Sequence, residues 1–366
     1  MQVVWTILLG LLVFGLMVFV HEFGHFICAK LSDVKVTEFS IGMGPRILKW
    51  GKGETKYSLR AFPIGGFVSM VGEDGEEDGE KKSGSDDAGQ PEAVEAASAV
   101  AQGRAFYQKP IWKRMIILIA GAFMNLLLGF VLLLVVVSMK SAIASRKISY
   151  FADTAVSNGE NGLRLGDEII SLNGKAVHIG NDISYGLIRD QDGFVDFKVL
   201  RDGEEVTLTN VPFQTYHTED GTQSIILDFK VEPLQKTFFS VLRESFYWTF
   251  SIVDLVWGSV IDLVTGNFAF NQLSGPIGVV TVIGEAASVS LDSLLTMVGM
   301  ITINIGVFNL LPFPALDGGR VVFLLIELIF RKPVPHKIEN IINIAGLGLL
   351  MLLMIVVSVS DVIKLF

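Results

Sequence analysis

The sequence predicts a polytopic α-helical membrane protein: about four transmembrane helices, a membrane-associated β segment and an inserted β-rich, PDZ-like domain. Three observations carry the membrane class. The 366 residues are 51% hydrophobic and 18% charged, where a soluble globular chain carries about 25% charged residues. Mean hydropathy is +0.53. Four uncharged apolar stretches, residues 3–20, 115–139, 293–316 and 341–360, each reach the roughly 18–20 residues that a bilayer crossing needs.

In chain order, residues 1–30 form the first span. It has no basic leading region and no small-residue cleavage site, and it runs directly into His21, so it reads as retained. Residues 31–72 are too polar to span and too apolar for a plain linker. Lys56 to Met70 alternates partly around Pro63-Ile-Gly-Gly66, which predicts short strands with a turn or bulge. Residues 73–103 form an acidic insert, with ten acidic residues between 73 and 95 against Lys81 and Lys82. Such a composition predicts a solvated, disordered segment. Residues 104–147 contain the second span.

Residues 148–232 predict a separate β-rich domain. Gly162 to Val177 alternates up to Asn173-Gly174, and Asp202-Gly203 separates two further strand patterns, 194–200 and 205–208. Residues 233–285 hold aromatic, apolar stretches interrupted by Arg243, Glu244, Asp254 and Asp262. They predict amphipathic helices on the membrane surface, because a further span would bury Asp254 or Asp262 at a cost. Residues 286–331 form the third span and 332–366 the fourth. There is no internal repeat.

Lys and Arg near span ends set orientation. They are concentrated from Lys30 to Arg114, and again at Arg331, Lys332 and Lys337. Both segments are expected to be cytoplasmic, in a multi-pass protein of the cytoplasmic (inner) membrane. The β-rich domain and both termini then lie outside. A net charge of -9 argues against a nucleic-acid partner. The single cysteine, Cys28, excludes an intrachain disulfide and a Cys-based metal cluster.

The chemistry begins at His21-Glu22-Phe23-Gly24-His25. On a helix, positions i and i+4 share a face, so two imidazoles at this spacing suit one zinc ion. Zinc lowers the pKa of a water molecule it holds to about 7, and a neighbouring Glu22 carboxylate is placed to take the proton. Ionisable residues at membrane depth are costly and mark function. A catalytic zinc site keeps three protein ligands and one open position. His178 and His217 lie in the outer domain, and His336 in the cytoplasmic link is a weaker candidate than Asp317. Asp317 follows Asn309-Leu-Leu-Pro312-Phe-Pro314-Ala-Leu316, where two prolines remove helix hydrogen bonds. Depth agrees with this pairing. His21 lies about 27 Å along the first span at a rise of 1.5 Å per residue, and Asp317 ends a span entering from the same side.

His21-Glu22-x-x-His25 in the first span, with Asn309-Leu-Leu-Pro312-x-Pro314-Ala-Leu-Asp317-Gly318-Gly319 in a late one, resembles the site-2 protease family. The branch it is most similar to is the bacterial regulator of sigma-E protease. Phe39 to Pro45, Pro63 to Val68, Gly121 to Asn125 and Leu273 to Gly278 match further landmarks, so the resemblance covers nearly the whole chain. Ala122-Phe123 replaces the family's usual Pro-Leu. The resemblance implies zinc-dependent cleavage of single-span membrane proteins within the bilayer, usually after another protease has removed their outer part. It implies His21, His25 and Asp317 as zinc ligands and Glu22 as catalytic base. The Gly162-Leu-Arg-x-Gly-Asp-x-Ile run is similar to one PDZ domain, although Ser157-Asn-Gly-Glu-Asn161 replaces the usual alanine-rich turn. Gly65 and Gly66 are expected to let a substrate strand approach, with Asn309, Pro312 and Pro314 shaping the site. A silent scaffold would not need all four chemical residues. A transporter would not need His-Glu-x-x-His, and four spans without inverted repeats argue against one.

Overall fold

The computed structural model describes residues 2–51, 53–73, 90–190, 192–217, 223–266 and 275–364. The chain divides into two compact units, Met1–Gly129 with Ser274–Phe366, and Phe130–Leu273.

The first unit is built on helices. α1 (Gln2–Leu31) and α3 (Ile111–Met139, of which residues 111–129 belong to this unit) are apolar over most of their length. α6 (Pro276–Val289), α7 (Leu291–Asn309), α8 (Asp317–Phe330) and α9 (His336–Lys364) follow late in the chain. The third predicted span is therefore divided. α7 stops at Asn309 and α8 starts at Asp317, with Pro312 and Pro314 in the break. Proline lacks the N–H that a continuous helix would need there. Ala315, between them and Asp317, adopts a left-handed φ of 71°, and its N–H donates to Asn343 Oδ1 of α9 at 3.2 Å. Between α3 and α8, Arg114 donates twice to the Glu327 carboxylate, at 3.1 and 2.6 Å.

β1 (Val36–Trp50) and β2 (Lys56–Met70) form an antiparallel pair with repeated register shifts. Residues 36–41 of β1 pair on one side with the start of β2, as Phe39 with Tyr57. On the other side they pair with its end, as Phe39 with Val68. The two bent strands thus behave as four short ones, in the order 46–50, 57–60, 36–41, 66–70. Bulges supply the bends, and Gly42, Gly44 and Gly65 take the positive φ values. Phe39, Val68 and Met70 bury against α1 residues including Ala29, and Ile117 and Leu118 of α3 join the same cluster. Apolar Met43, Ile47, Leu48, Trp50 and Phe62 remain exposed elsewhere on the pair.

Glu38 ties three of the four runs laterally, 36–41, 57–60 and 46–50. It accepts from Ser58 Oγ at 2.6 Å, Arg60 at 3.0 Å and Arg46 at 3.1 Å. Burial alone would raise its pKa, but these hydrogen bonds and the Arg46 and Arg60 charges more than offset it and hold the carboxyl below its usual value.

α2 (Gln90–Ala101) corrects part of the disordered insert. Its alanines favour helix, and Ala99 is buried in a small cluster with Val71 and Ala105. The acidic residues 74–89 lie outside the described residues, as do residues 273–274 of one landmark and 267–270 of the interfacial stretch.

The second unit holds a six-stranded sheet with the path β10-β3-β4-β6-β7. Its strands are β3 (Ile143–Phe151), β4 (Glu168–Leu172), β5 (Lys175–Ala176, paired to β4), β6 (Phe194–Arg201), β7 (Glu204–Pro212) and β10 (Phe229–Leu234). A separate hairpin joins β8 (Thr215–His217) to β9 (Gln223–Ile225). Both expected tight turns are present. Asn173-Gly174 and Asp202-Gly203 have positive φ at both positions, as a two-residue turn between twisted strands requires. The Gly166-Asp167 step is held by Asp167, which accepts from the Arg164 N–H and pairs with Arg201 at 2.8 Å. The irregular 157–161 turn is anchored by buried Asp228, which accepts the Val156 and Ser157 N–H groups and the Ser157 hydroxyl.

α4 (Gly180–Ile188) covers the sheet and faces α5 (Phe238–Thr265). A cavity of about 750 Å³ lies between the β4–β5 turn, α4 and α5. In the stretch expected to hold amphipathic helices, α5 is one 28-residue helix and α6 begins at Pro276. Five described helices, α5 among them, are long and apolar enough to cross a membrane. The α5 acids that argued against a span are paired within the unit: Asp254 with Lys175 and Asp262 with Arg189, each at 2.5 Å.

Candidate metal centre

The site assembles in the first unit from both ends of the chain. His21 and His25, one turn apart on α1, point the same way, with ring centroids 4.8 Å apart. Asp317, the first residue of α8, brings its carboxylate to both rings. Asp317 Oδ2 lies 3.1 Å from His21 Nε2 and 3.3 Å from His25 Nε2, and the two nitrogens are 3.2 Å apart. Zinc held tetrahedrally by bonds of about 2.0–2.1 Å needs ligand atoms about 3.3 Å apart. Asp317 Oδ2 is buried and makes no well-formed hydrogen bond despite both close nitrogens. Lone pairs converging on one point account for that better than a hydrogen-bonded ion pair does. The donor set is therefore fit to hold one zinc ion.

His336 is not part of this group. It begins α9, is largely exposed, and faces Glu339 at 3.9 Å. Cys28 packs at the edge of the apolar cluster under β1 and β2.

Glu22 sits on α1 between the two histidines in sequence, against the end of β2. A Cβ on Gly66 would lie 3.0 Å from Glu22 Cγ and 2.9 Å from the Ser40 carbonyl oxygen. Only glycine lets β2 pass so near the acid. Gly65 has a φ of 84° and lies against Met43. Asn309 closes α7, its amide donating to the Ile305 carbonyl at 3.0 Å. One turn into α8 from Asp317, Arg320 forms an ion pair with Glu73, just beyond β2. The helix carrying the carboxylate and the strand beside Glu22 are thereby tied together.

Three groups around the imidazoles had no assigned chemistry in the sequence. His25 Nδ1 donates to the Ile117 carbonyl of α3 at 2.8 Å. Asn125, also on α3 and fully buried, places its amide nitrogen 3.3 Å from His21 Nδ1. Between them, Gly121 leaves room for both rings, since a Cβ there would collide with His25. A main-chain carbonyl leaves no sequence signal. A polar Asn125 inside an apolar span, four residues after a glycine, is one that could have been read.

Two imidazoles and a carboxylate converging within apolar helices define a metal-dependent hydrolase embedded in a membrane. The comparisons give the family: residues 9–353 match the model of peptidase family M50, and the chain belongs to that family of zinc metalloproteases. A Clostridium perfringens protein bearing a zinc metalloprotease name is 33% identical over 358 residues, 98% of each chain. The regulator of sigma-W protease RasP of Bacillus subtilis is 29% identical over 422 residues, covering 99% of both. The zinc metalloprotease RasP of Geobacillus kaustophilus is 30% identical over 423 residues, 99% of this chain and 98% of that one.

Proposed function

We propose that this zinc metalloprotease is an endopeptidase that cuts transmembrane segments of single-span membrane proteins, such as anti-sigma factors or signal-peptide remnants, in regulated intramembrane proteolysis. The observation that carries this is the position of the His21–His25–Asp317 group: both histidines lie on α1, which is long and apolar enough to cross a membrane, and Asp317 opens α8 just beyond α7, which is so too. His21, His25 and Asp317 hold the metal. When bound, zinc supplies Lewis acidity, which acidifies water and polarises a carbonyl. Glu22 acts as general base, taking a proton from the attacking water and passing it to the leaving amine.

A helical substrate hides its amide bonds in its own hydrogen bonds and must unwind to be cut. Residues 66–70 of β2 pair on one side only among the described residues, with 36–41. Adding a substrate strand to that edge holds it extended beside Glu22. Val68 and Met70 are buried while Phe67 and Ser69 are only half-buried, so the latter two lie on the more open face, where they would neighbour the side chains of an added strand. The exposed Met43, Ile47, Leu48, Trp50 and Phe62 suit contact with lipid. Four spans cross the bilayer, and α5 lies at its surface with its acids paired to the β-rich unit. That unit is a single PDZ-like domain, outside the cell membrane by the distribution of Lys and Arg, with the catalytic end of α1 near the cytoplasmic side. Partner substrates arrive pre-cut by another protease.

The test is cleavage by the purified protein in lipid of a single-span substrate. Mass spectrometry should place the cut inside the apolar segment, and disulfide capture from Phe67→Cys or Ser69→Cys should trap that segment. A cut confined to soluble loops, with no capture, would reject this reading.

A further inference from the structure

We infer that Asn125 is a positioning residue for the zinc site: its amide oxygen accepts the Nδ1 proton of His21 and so keeps His21 Nε2 as the metal-binding nitrogen. This rests on the reading of His21 as a ligand. On α3, Ile117, Gly121 and Asn125 recur every four residues and share one helix face. That face meets both imidazoles. At its first position the Ile117 carbonyl takes the His25 Nδ1 proton at 2.8 Å, leaving the His25 Nε2 lone pair free toward His21 and Asp317. At its second, Gly121 permits contact with both rings. At its third lies the Asn125 amide, 3.3 Å from His21 Nδ1 and wholly buried.

Proton logic decides which end of that amide faces the ring. A neutral imidazole carries one proton on its two nitrogens. If Nε2 is the ligand, Nδ1 carries the proton and must face an acceptor. An amide nitrogen there would do the reverse, forcing the proton to Nε2, where the ligand atoms converge. A half-turn of the amide exchanges nitrogen and oxygen at nearly the same positions. Asn125 Oδ1 has no hydrogen-bond partner where it stands, so the turn breaks no bond to it. α3 thus supplies the outer support of both histidines, by a main-chain carbonyl for one and a side-chain amide for the other. Such partners fix ring orientation, and losing one typically weakens metal binding by about 10–100-fold.

The measurement is zinc affinity of the purified full-length protein, by competition with a chromogenic chelator, in wild type, Asn125→Leu and Asn125→Asp. Leu has similar volume without an acceptor, and Asp keeps the acceptor. Asn125→Leu should bind zinc about 10–100-fold more weakly, and Asn125→Asp should stay near wild type. Equal affinity in wild type and Asn125→Leu, or equal loss in Leu and Asp, overturns the inference. Should the Leu variant not fold, ¹⁵N NMR of histidine in zinc-loaded wild type decides. A protonated Nδ1 on His21 supports the assignment, and a metal-bound Nδ1 overturns it. His21→Ala serves as control. If it binds zinc normally, the ligand reading fails. If it loses zinc while Asn125→Leu does not, only the role of Asn125 fails.

Discussion

Gly66 is where the strand and the acid come closest. A methyl group there would press on Glu22 Cγ at 3.0 Å and on the backbone oxygen of Ser40 at 2.9 Å. The Ser40 carbonyl belongs to the neighbouring strand and cannot swing aside as a side chain would, so the strand end itself must move. We expect Gly66→Ala to lower cleavage at least about tenfold, since small misplacements at a reacting centre are costly, while zinc content stays at the wild-type level. Equal cleavage rates in the two proteins would detach β2 from the chemistry. The His-Glu-x-x-His spacing was readable because helix periodicity alone places both rings on one face. The closeness of Gly66 to Glu22 was not, because it depends on strand register across two bent strands.

At the scale of elements, Glu38 is the polar tie between three of the four runs of β1 and β2. Its folded pKa lies below the unfolded value, so its contribution is fully present above the ordinary glutamate value of about 4.5. It is lost as pH falls through the lower folded value. The group is partly solvated, so about 1 kcal/mol is a reasonable scale. Hydrogen exchange of amides 36–41 should show Glu38→Gln less protected than wild type at pH 7, with the difference shrinking below about pH 4. A difference that persists or grows in acid would contradict the sign. The sequence showed a turn or bulge in Lys56 to Met70, but not that β1 would be equally long and pair with both halves of β2. Gln90–Ala101 was misread because the surrounding acid run dominated its composition, whereas its alanines and their contact with Val71 decide its state. The length of α5 and the pairing of Asp254 and Asp262 were not legible, because they required the β-rich unit to be present.

In the whole molecule, the metal group belongs to one compact unit and the β-rich domain to the other. Ile143 and Leu234, at the two ends of the sheet domain, are paired neighbours across β3 and β10. A short glycine–serine linker can therefore replace residues 144–233 with little strain. This deletion should keep zinc and still cut a pre-trimmed substrate; if the domain acts as a size filter, uncut precursors also become cleavable. A folded, zinc-loaded deletion that is inactive on pre-trimmed substrate would count against that role. In the proposed mechanism one site is made by His21 and His25 from the start of the chain and Asp317 from near its end, with Glu22 as base and not ligand. Zinc per molecule, measured by elemental analysis alongside cleavage in purified Asp317→Ala and Glu22→Gln, tests it most directly. Asp317→Ala should lose both zinc and activity while Glu22→Gln keeps zinc and loses activity alone; full zinc occupancy in Asp317→Ala, or wild-type cleavage by Glu22→Gln, would contradict this assignment.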